Sequence, residues 1–170
     1  LRDIETDQAH GLLTDDDAGP TKLIVELWLD NIMAKRQRGP GILLRDAWAY
    51  IKISDVTLDY VNSSSKNHIG IRLEDNAGAE IVGTDVVGAS SDNSTTSQTS
   101  FYFKACVAIW LTDCFADTPG NYGFYAEDSA FITYGGCRAS LCANAGFYQV
   151  NSADFSYDNC IVSGRKGQSY

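Results

Sequence analysis

The sequence predicts an all-β solenoid, a single-stranded parallel β-helix of about six coils, and three observations predict it. From Ser100 the chain repeats at an interval of 23 residues, as SFYFKACVAIWLTDC, GFYAEDSAFITYGGC from Gly123 and GFYQVNSADFSYDNC from Gly146. Phe101, Phe124 and Phe147 share one column, Tyr102, Tyr125 and Tyr148 the next, and Cys114, Cys137 and Cys160 a third. A period in the twenties built of short alternating segments is how a solenoid reads, because each repeat buries its apolar face only by stacking on its neighbours. The third observation is a pair of polar corner columns in every repeat, with no amphipathic run long enough for a connecting helix between them.

Carried backwards, the frame gives coils starting near Gly11, Gly41, Gly70, Ser100, Gly123 and Gly146, all in one domain spanning residues 1–170. The first strand of each coil places Leu12, Ile42, Ile71, Phe101, Phe124 and Phe147 inward, followed two residues later by Thr14, Leu44, Leu73, Phe103, Ala126 and Gln149. The second strand places Val25, Leu27 and Leu29 inward in the first coil and Ala49, Ile51 and Ile53 in the next. Val107, Ile109 and Leu111, then Ala130, Ile132 and Tyr134, then Ala153, Phe155 and Tyr157 continue that face. A short third strand opens with Val56, Val86, Cys114, Cys137 and Cys160. The corners are Asp16, Asp46, Asp75, Asp128 and Asn151, broken by Ala105, and Asn31, Asp55, Asp85, Asp113 and Asn159, broken by Gly136. Asp and Asn suit such places because they tolerate tight-turn backbone angles and bond to nearby amides. The missing initial Met and the absence of a polar cap at either end are those of a segment cut from a longer chain.

Composition narrows the function classes. A net charge of −9 and a pI near 4.5 argue against nucleic acid and anionic membranes as partners. No apolar run approaches the roughly 18 residues of a membrane span, so no membrane insertion is expected. The five cysteines, Cys106, Cys114, Cys137, Cys142 and Cys160, show no metal-binding spacing, and the recurrence of three of them at the repeat period suits free, buried thiols. Neither a metal nor another cofactor is expected.

The recurrent G-I-x-L-x-D-x-A pattern, with G-F-Y-x-x-(D/N)-S-A and Y-x-N-C clearest in the sixth coil, resembles the pectate-lyase-like right-handed parallel β-helix repeat over nearly the whole chain. That resemblance implies the handling of a long polysaccharide, by a lyase or hydrolase or by a bacteriophage tail spike or appendage. The phage proteins are the better likeness. They imply an extracellular or virion-surface protein, commonly a homotrimer, that binds host-surface glycans. The catalytic motifs of the family's enzymes do not transfer: Asp15-Asp16-Asp17 and His68-Ile69-Gly70 stand in the wrong order and context.

Candidate sites follow from the outward positions. Tyr102, Tyr125 and Tyr148 stand beside the Phe column, and rungs about 4.8 Å apart would make them a ladder suited to a sugar's apolar face and hydroxyl rim. Stacking that merely stabilises the sheet is the plainer alternative. Trp110 and Trp28, outward on the second strand, are weaker candidates for the same surface. Asp15, Arg45, Glu74, Lys104 and Glu127 alternate in sign down the column before the first corner, as a surface ion-pair ladder would. A catalytic reading instead takes Glu74, Asp75, Glu127 and Asp128 as acid and base of a glycosidase, which needs two carboxylates about 5 to 10 Å apart. Two polar insertions, Asp59 to Ile69 and Gly88 to Thr99, are expected at the variable corner, where a rigid scaffold could use them for recognition. They contain the formal glycosylation sequons at Asn62 and Asn93. A structural spacer with no ligand is the remaining alternative.

Overall fold

The computed structural model of the chain describes residues 4–5, 12–14, 26–35, 40–45, 50–60, 69–88 and 99–165, with backbone alone at 4–5, 12–14 and 165. Gly11, Asp15 to Asp17, Val25, Asp46, Ala49, His68, most of both insertions and both sequons lie outside the described residues. Among the described residues every regular element is a strand. Every strand pairing is parallel. The first strands, Leu12–Thr14, Ile42–Arg45, Ile69–Glu74, Thr99–Lys104, Tyr122–Glu127 and Ala145–Val150, stack in chain order as a six-stranded sheet. Six stacked rungs enclose five full turns.

The second and third strands form the other, 11-stranded sheet. Tyr50–Asp59 runs unbroken through the corner, pairing with Ala77–Val82 along its first half and with Asp85–Val87 along its second. That continuity makes one bent sheet of two strand columns.

Left-handed backbone turns the corners. Asp75, Ala105, Asp128 and Asn151 form one column with φ from 50 to 52°. Ala105 therefore keeps the turn that its side chain does not favour, because stacking imposes one path on every coil. The second column is Asn31, Asp55, Gly83, Asp113, Gly136 and Asn159, all with positive φ. Gly83, not Asp85, holds this corner in the third coil, and Asp85 stands in register with Phe115 on the third strand. Glycine takes left-handed angles without the cost that a Cβ imposes, and that preference outweighs the likeness of Asp85-Val86 to Asp55-Val56. Val86 is accordingly in register with Ala116, and Thr84 occupies the level of the cysteine column.

From Asn76 onward the residue after each corner caps a carbonyl two residues back, whereas Ile32 and Val56 hold that place in the first two coils. Asn76 Nδ2 donates to Glu74 at 2.7 Å, and Ser129 and Ser152 hydroxyls donate to Glu127 and Val150 at 2.8 Å. At the other corner Thr84 Oγ1 donates to Val82 at 3.1 Å, while the Cys114 and Cys137 thiols reach Thr112 and Gly135 at 3.5 Å. The recurring cysteines thus close corners as hydrogen-bonding groups, buried at Cys114 and Cys137 and half-buried at Cys160. All five are free, and burial pushes the Cys106 thiol up to about 12 and that of Cys142 to about 11.

A further left-handed column, Gly78, Ala108, Phe131 and Asp154, bends the second strand at its second residue. Four successive coils carry the bend, so Val107↔Ala130 and Ile109↔Ile132 stay in register around it. Its consequence corrects the expected inward face: Val107 is 43 % exposed, Ala130 is half-buried and Ala153 is exposed. Ile109, Leu111, Ile132 and Tyr134 face inward and are buried. In the last described coil Phe155 is half-buried and Tyr157 exposed.

The core follows the first strands. Phe101, Phe124 and Phe147 stack with centroids 4.7 Å apart at both steps, and Tyr134 packs edge-on against Phe124 at 5.6 Å and Phe147 at 5.2 Å. The residue before each Phe faces the third strand so closely that a Cβ on Gly123 would lie 2.7 Å from the Gly146 carbonyl and 2.9 Å from the Ala139 Cβ. Ser100 occupies this column one rung earlier, and its buried hydroxyl has no hydrogen-bond partner.

Candidate functional site

The tyrosine column forms the ladder that its spacing implies. Alternation that drives the Phe residues inward turns Tyr102, Tyr125 and Tyr148 outward on the six-stranded sheet. Tyr102 and Tyr125 stack at 5.2 Å with planes 1° apart, and Tyr125 and Tyr148 at 5.5 Å with planes 20° apart. The Arg72 guanidinium lies 5.0 Å from the Tyr102 centroid and covers the ladder's first ring. The faces of Tyr102 and Tyr125 are therefore occupied by their neighbours, whereas Tyr148 is 42 % exposed.

The hydroxyl tips are tied down as well. Tyr102 donates to Glu127 Oε1 at 2.8 Å and Tyr125 to Glu127 Oε2 at 3.1 Å, while Lys104 Nζ stands 3.2 Å from Oε1. Burial raises the Glu127 carboxyl's pKa, but hydrogen bonds from Tyr102, Lys104 and Tyr125 outweigh it and hold the group below its ordinary range. Glu74 is balanced in the same way: burial pushes it up, and Arg72 and Arg45 pull it lower still. Arg72 Nε donates to Glu74 Oε1 at 2.6 Å and Arg45 Nε to Oε2 at 2.5 Å. The expected alternation of signs thus pairs Arg45 with Glu74 and Lys104 with Glu127.

These facts bear on the catalytic reading. Glu74 and Glu127 both stand in register with Lys104, on opposite sides of it, so their backbones are about 10 Å apart with a cation between them. An ionised carboxylate suits a nucleophile or a charge stabiliser, but a general acid must hold a proton, and both groups favour the ionised form. Asp75 and Asp128 are exposed corner residues in left-handed conformation, so the turn itself accounts for their side-chain type. The carboxyl that burial does push up, Asp85, belongs to the other sheet. Among the described residues no cluster of three or more His, Cys, Asp or Glu side chains could hold a metal ion.

Trp110 is 47 % exposed and Trp28 66 %, but both sit on the 11-stranded sheet, in register with Glu80 and Lys52 respectively. They do not share the surface of the tyrosine ladder.

A cleft of about 330 Å³ opens beside the ladder. Tyr102, Tyr122, Tyr125 and Glu127 line it, with Arg72, Thr99, Asn121 and Ile69 completing the lining. Tyr122 packs on the end of the ladder, 4.8 Å from Tyr148 and 5.1 Å from Tyr125. Asn121 is buried and accepts a hydrogen bond from Asn144 of the next coil. Ile69 and Thr99 are the last residues of the two insertions and open the strands that follow. Sequence reasoning assigned no functional role to Arg72, Asn121 or Tyr122. Repetition picked out the ladder, but Tyr122 has Ala145 and Thr99 as its neighbours in register, so no column marks it.

No curated protein matches the chain in sequence. A candidate glycosyl hydrolase of Parabacteroides merdae has a crystal structure similar to it with a TM-score of 0.47 at 12% identity, covering 94% of this chain and 82% of that one. A family model described as the right handed beta helix region matches residues 40–169, which supplies the handedness of the coil. With more than half its length matched by that model, and with parallel strands stacked rung on rung over the described residues of the match, the chain belongs to the right handed beta helix family.

Proposed function

We propose that the chain is a glycan-binding β-helix segment of an extracellular or virion-surface protein, with the sugar seated in the cleft beside the tyrosine ladder. The cleft carries this reading, because aromatic walls with a few convergent polar groups are what an amphipathic ligand requires. Tyr122 lines the cleft and offers apolar surface, Tyr148 stands beside the cleft as its support, stacked on Tyr122 and partly exposed, and Thr99, Asn121 and Glu127 offer polar atoms. Tyr102 and Tyr125, whose faces are covered, act as wall and support. The resemblance to phage tail spikes and appendages favours a homotrimeric parent on a virion surface, while the ionised state of Glu74 and Glu127 favours binding over hydrolysis or elimination.

Titration calorimetry with a panel of oligosaccharides tests the reading, alongside an assay for reducing ends and unsaturated products. Tyr122→Ala and Tyr148→Ala should each weaken binding by about 1 to 2 kcal/mol, the scale of a stacked aromatic contact. Affinity equal to wild type in both variants would remove the cleft from the argument. Steady product release would favour the enzyme reading.

A further inference from the structure

Resting on that reading, we infer that the cleft selects neutral saccharides over anionic ones, because the cations around it are already matched to carboxylates. Among the described residues Arg72 is the cation that lines the cleft, and its guanidinium is engaged twice by Glu74 and laid over Tyr102. Lys104 is paired with Glu127, and Arg45 with Glu74. Arg45 and Arg72 thus share Glu74, Lys104 is paired with Glu127, Tyr102 joins the two groups, and with the exposed Asp75 and Asp128 beside those carboxylates these described groups carry one net negative charge.

An incoming sugar carboxylate would meet Glu127 on the cleft wall. It could claim Arg72 only by drawing it from Glu74, whose side chain is 11% exposed and would lose a charge partner in a poorly solvated place. The chain's net charge of −9 also repels polyanions at longer range. A neutral sugar faces none of these penalties. Its hydroxyls can donate to the Glu127 carboxylate and exchange hydrogen bonds with Thr99 and Asn121, and its apolar face can lie on Tyr122.

The test measures binding of neutral and uronic-acid oligosaccharides of equal length to the full chain by calorimetry, from about 0.05 to 0.5 M salt. Neutral ligands should bind at least tenfold tighter than acidic ones, with little dependence on salt. Glu74→Gln keeps the side chain's shape and releases the charge of Arg72 and Arg45, so it should move the ratio of acidic to neutral affinity at least tenfold toward the acidic ligands, an effect that salt suppresses. Thermal melts establish that this variant is folded. Acidic ligands bound as tightly as neutral ones by the wild type, or an unchanged ratio in the folded variant, would overturn the inference while leaving glycan binding standing. Binding of neither class would remove the glycan reading, and this inference with it.

Discussion

The Tyr102 hydroxyl donates a 2.8 Å hydrogen bond to the Glu127 carboxylate one coil further on, and Lys104, two residues along from Tyr102, reaches the same carboxylate at 3.2 Å. The other sheet repeats the grouping. Tyr50 donates to Glu80, and Lys52 stands 3.8 Å from that carboxylate. In both places a Tyr-x-Lys segment on one rung clasps the Glu directly opposite its Lys on the next. A slip of one residue would turn the core face to solvent, so alternation alone forbids it. A slip of two keeps every apolar residue inward, and the clasp adds to the stacked left-handed corners in penalising that error.

Removing the clasp should therefore cost modestly in stability and more in the uniqueness of register. Tyr102→Phe keeps the ring stack and deletes one hydrogen bond to a carboxylate, for a loss of about 1 kcal/mol in chemical denaturation. A loss above about 3 kcal/mol would mean that the hydroxyl supports more than this contact.

The same groups set the pH dependence. Glu74 and Glu127 titrate below their ordinary value of 4.5 in the folded chain, so their contribution is complete above that pH and is lost as the pH falls through the lower folded values. Burial, then Glu127, pushes Tyr125 up to about 12 and Tyr102 higher, so the ladder's contribution is present below pH 10 and is lost as the pH rises beyond it. Melting temperature against pH should fall on the acid side, and Glu127→Gln should flatten that fall. An unaltered acid limb in this variant would assign the pH dependence to other carboxylates.

Two positions where the sequence breaks a column should be improvable. Ser100→Ala keeps the Cβ that the site accepts and removes a buried hydroxyl without a partner, which should raise stability by about 1 kcal/mol. Ala105→Gly relieves a left-handed φ of 51° and should gain about as much. A fall in melting temperature for either would show that the side chain makes a contribution beyond the contacts described.

Phe124→Ala and Tyr125→Ala separate the core from the ladder. The first truncates a fully buried ring stacked at 4.7 Å on both sides and should cost about 3 to 5 kcal/mol. Tyr125 is half-buried between two rings and bonded to Glu127, so its loss should cost about 1 to 2 kcal/mol rather than the small change expected of a free surface residue. Equal losses in the two variants would contradict the division into an inner and an outer stack.

The sequence by itself determined the coil, because a β-helix repeats the same local problem on every rung and solves it with the same residue types. Phe101, Phe124 and Phe147 had to stack inside, and that placement put Tyr102, Tyr125 and Tyr148 outside. Tertiary structure decided what repetition does not encode. It imposed the left-handed turn on Ala105, moved the third coil's corner from Asp85 to Gly83, and exposed Val107 through a bend that alternation could not register. It also made the cleft, by bringing Arg72, Asn121 and Tyr122 to the ladder across successive coils. Those contacts depend on how far each insertion offsets one coil from the next along the chain, and a side chain's neighbours one rung away lie 23 to 30 residues distant in sequence, beyond the reach of any local pattern.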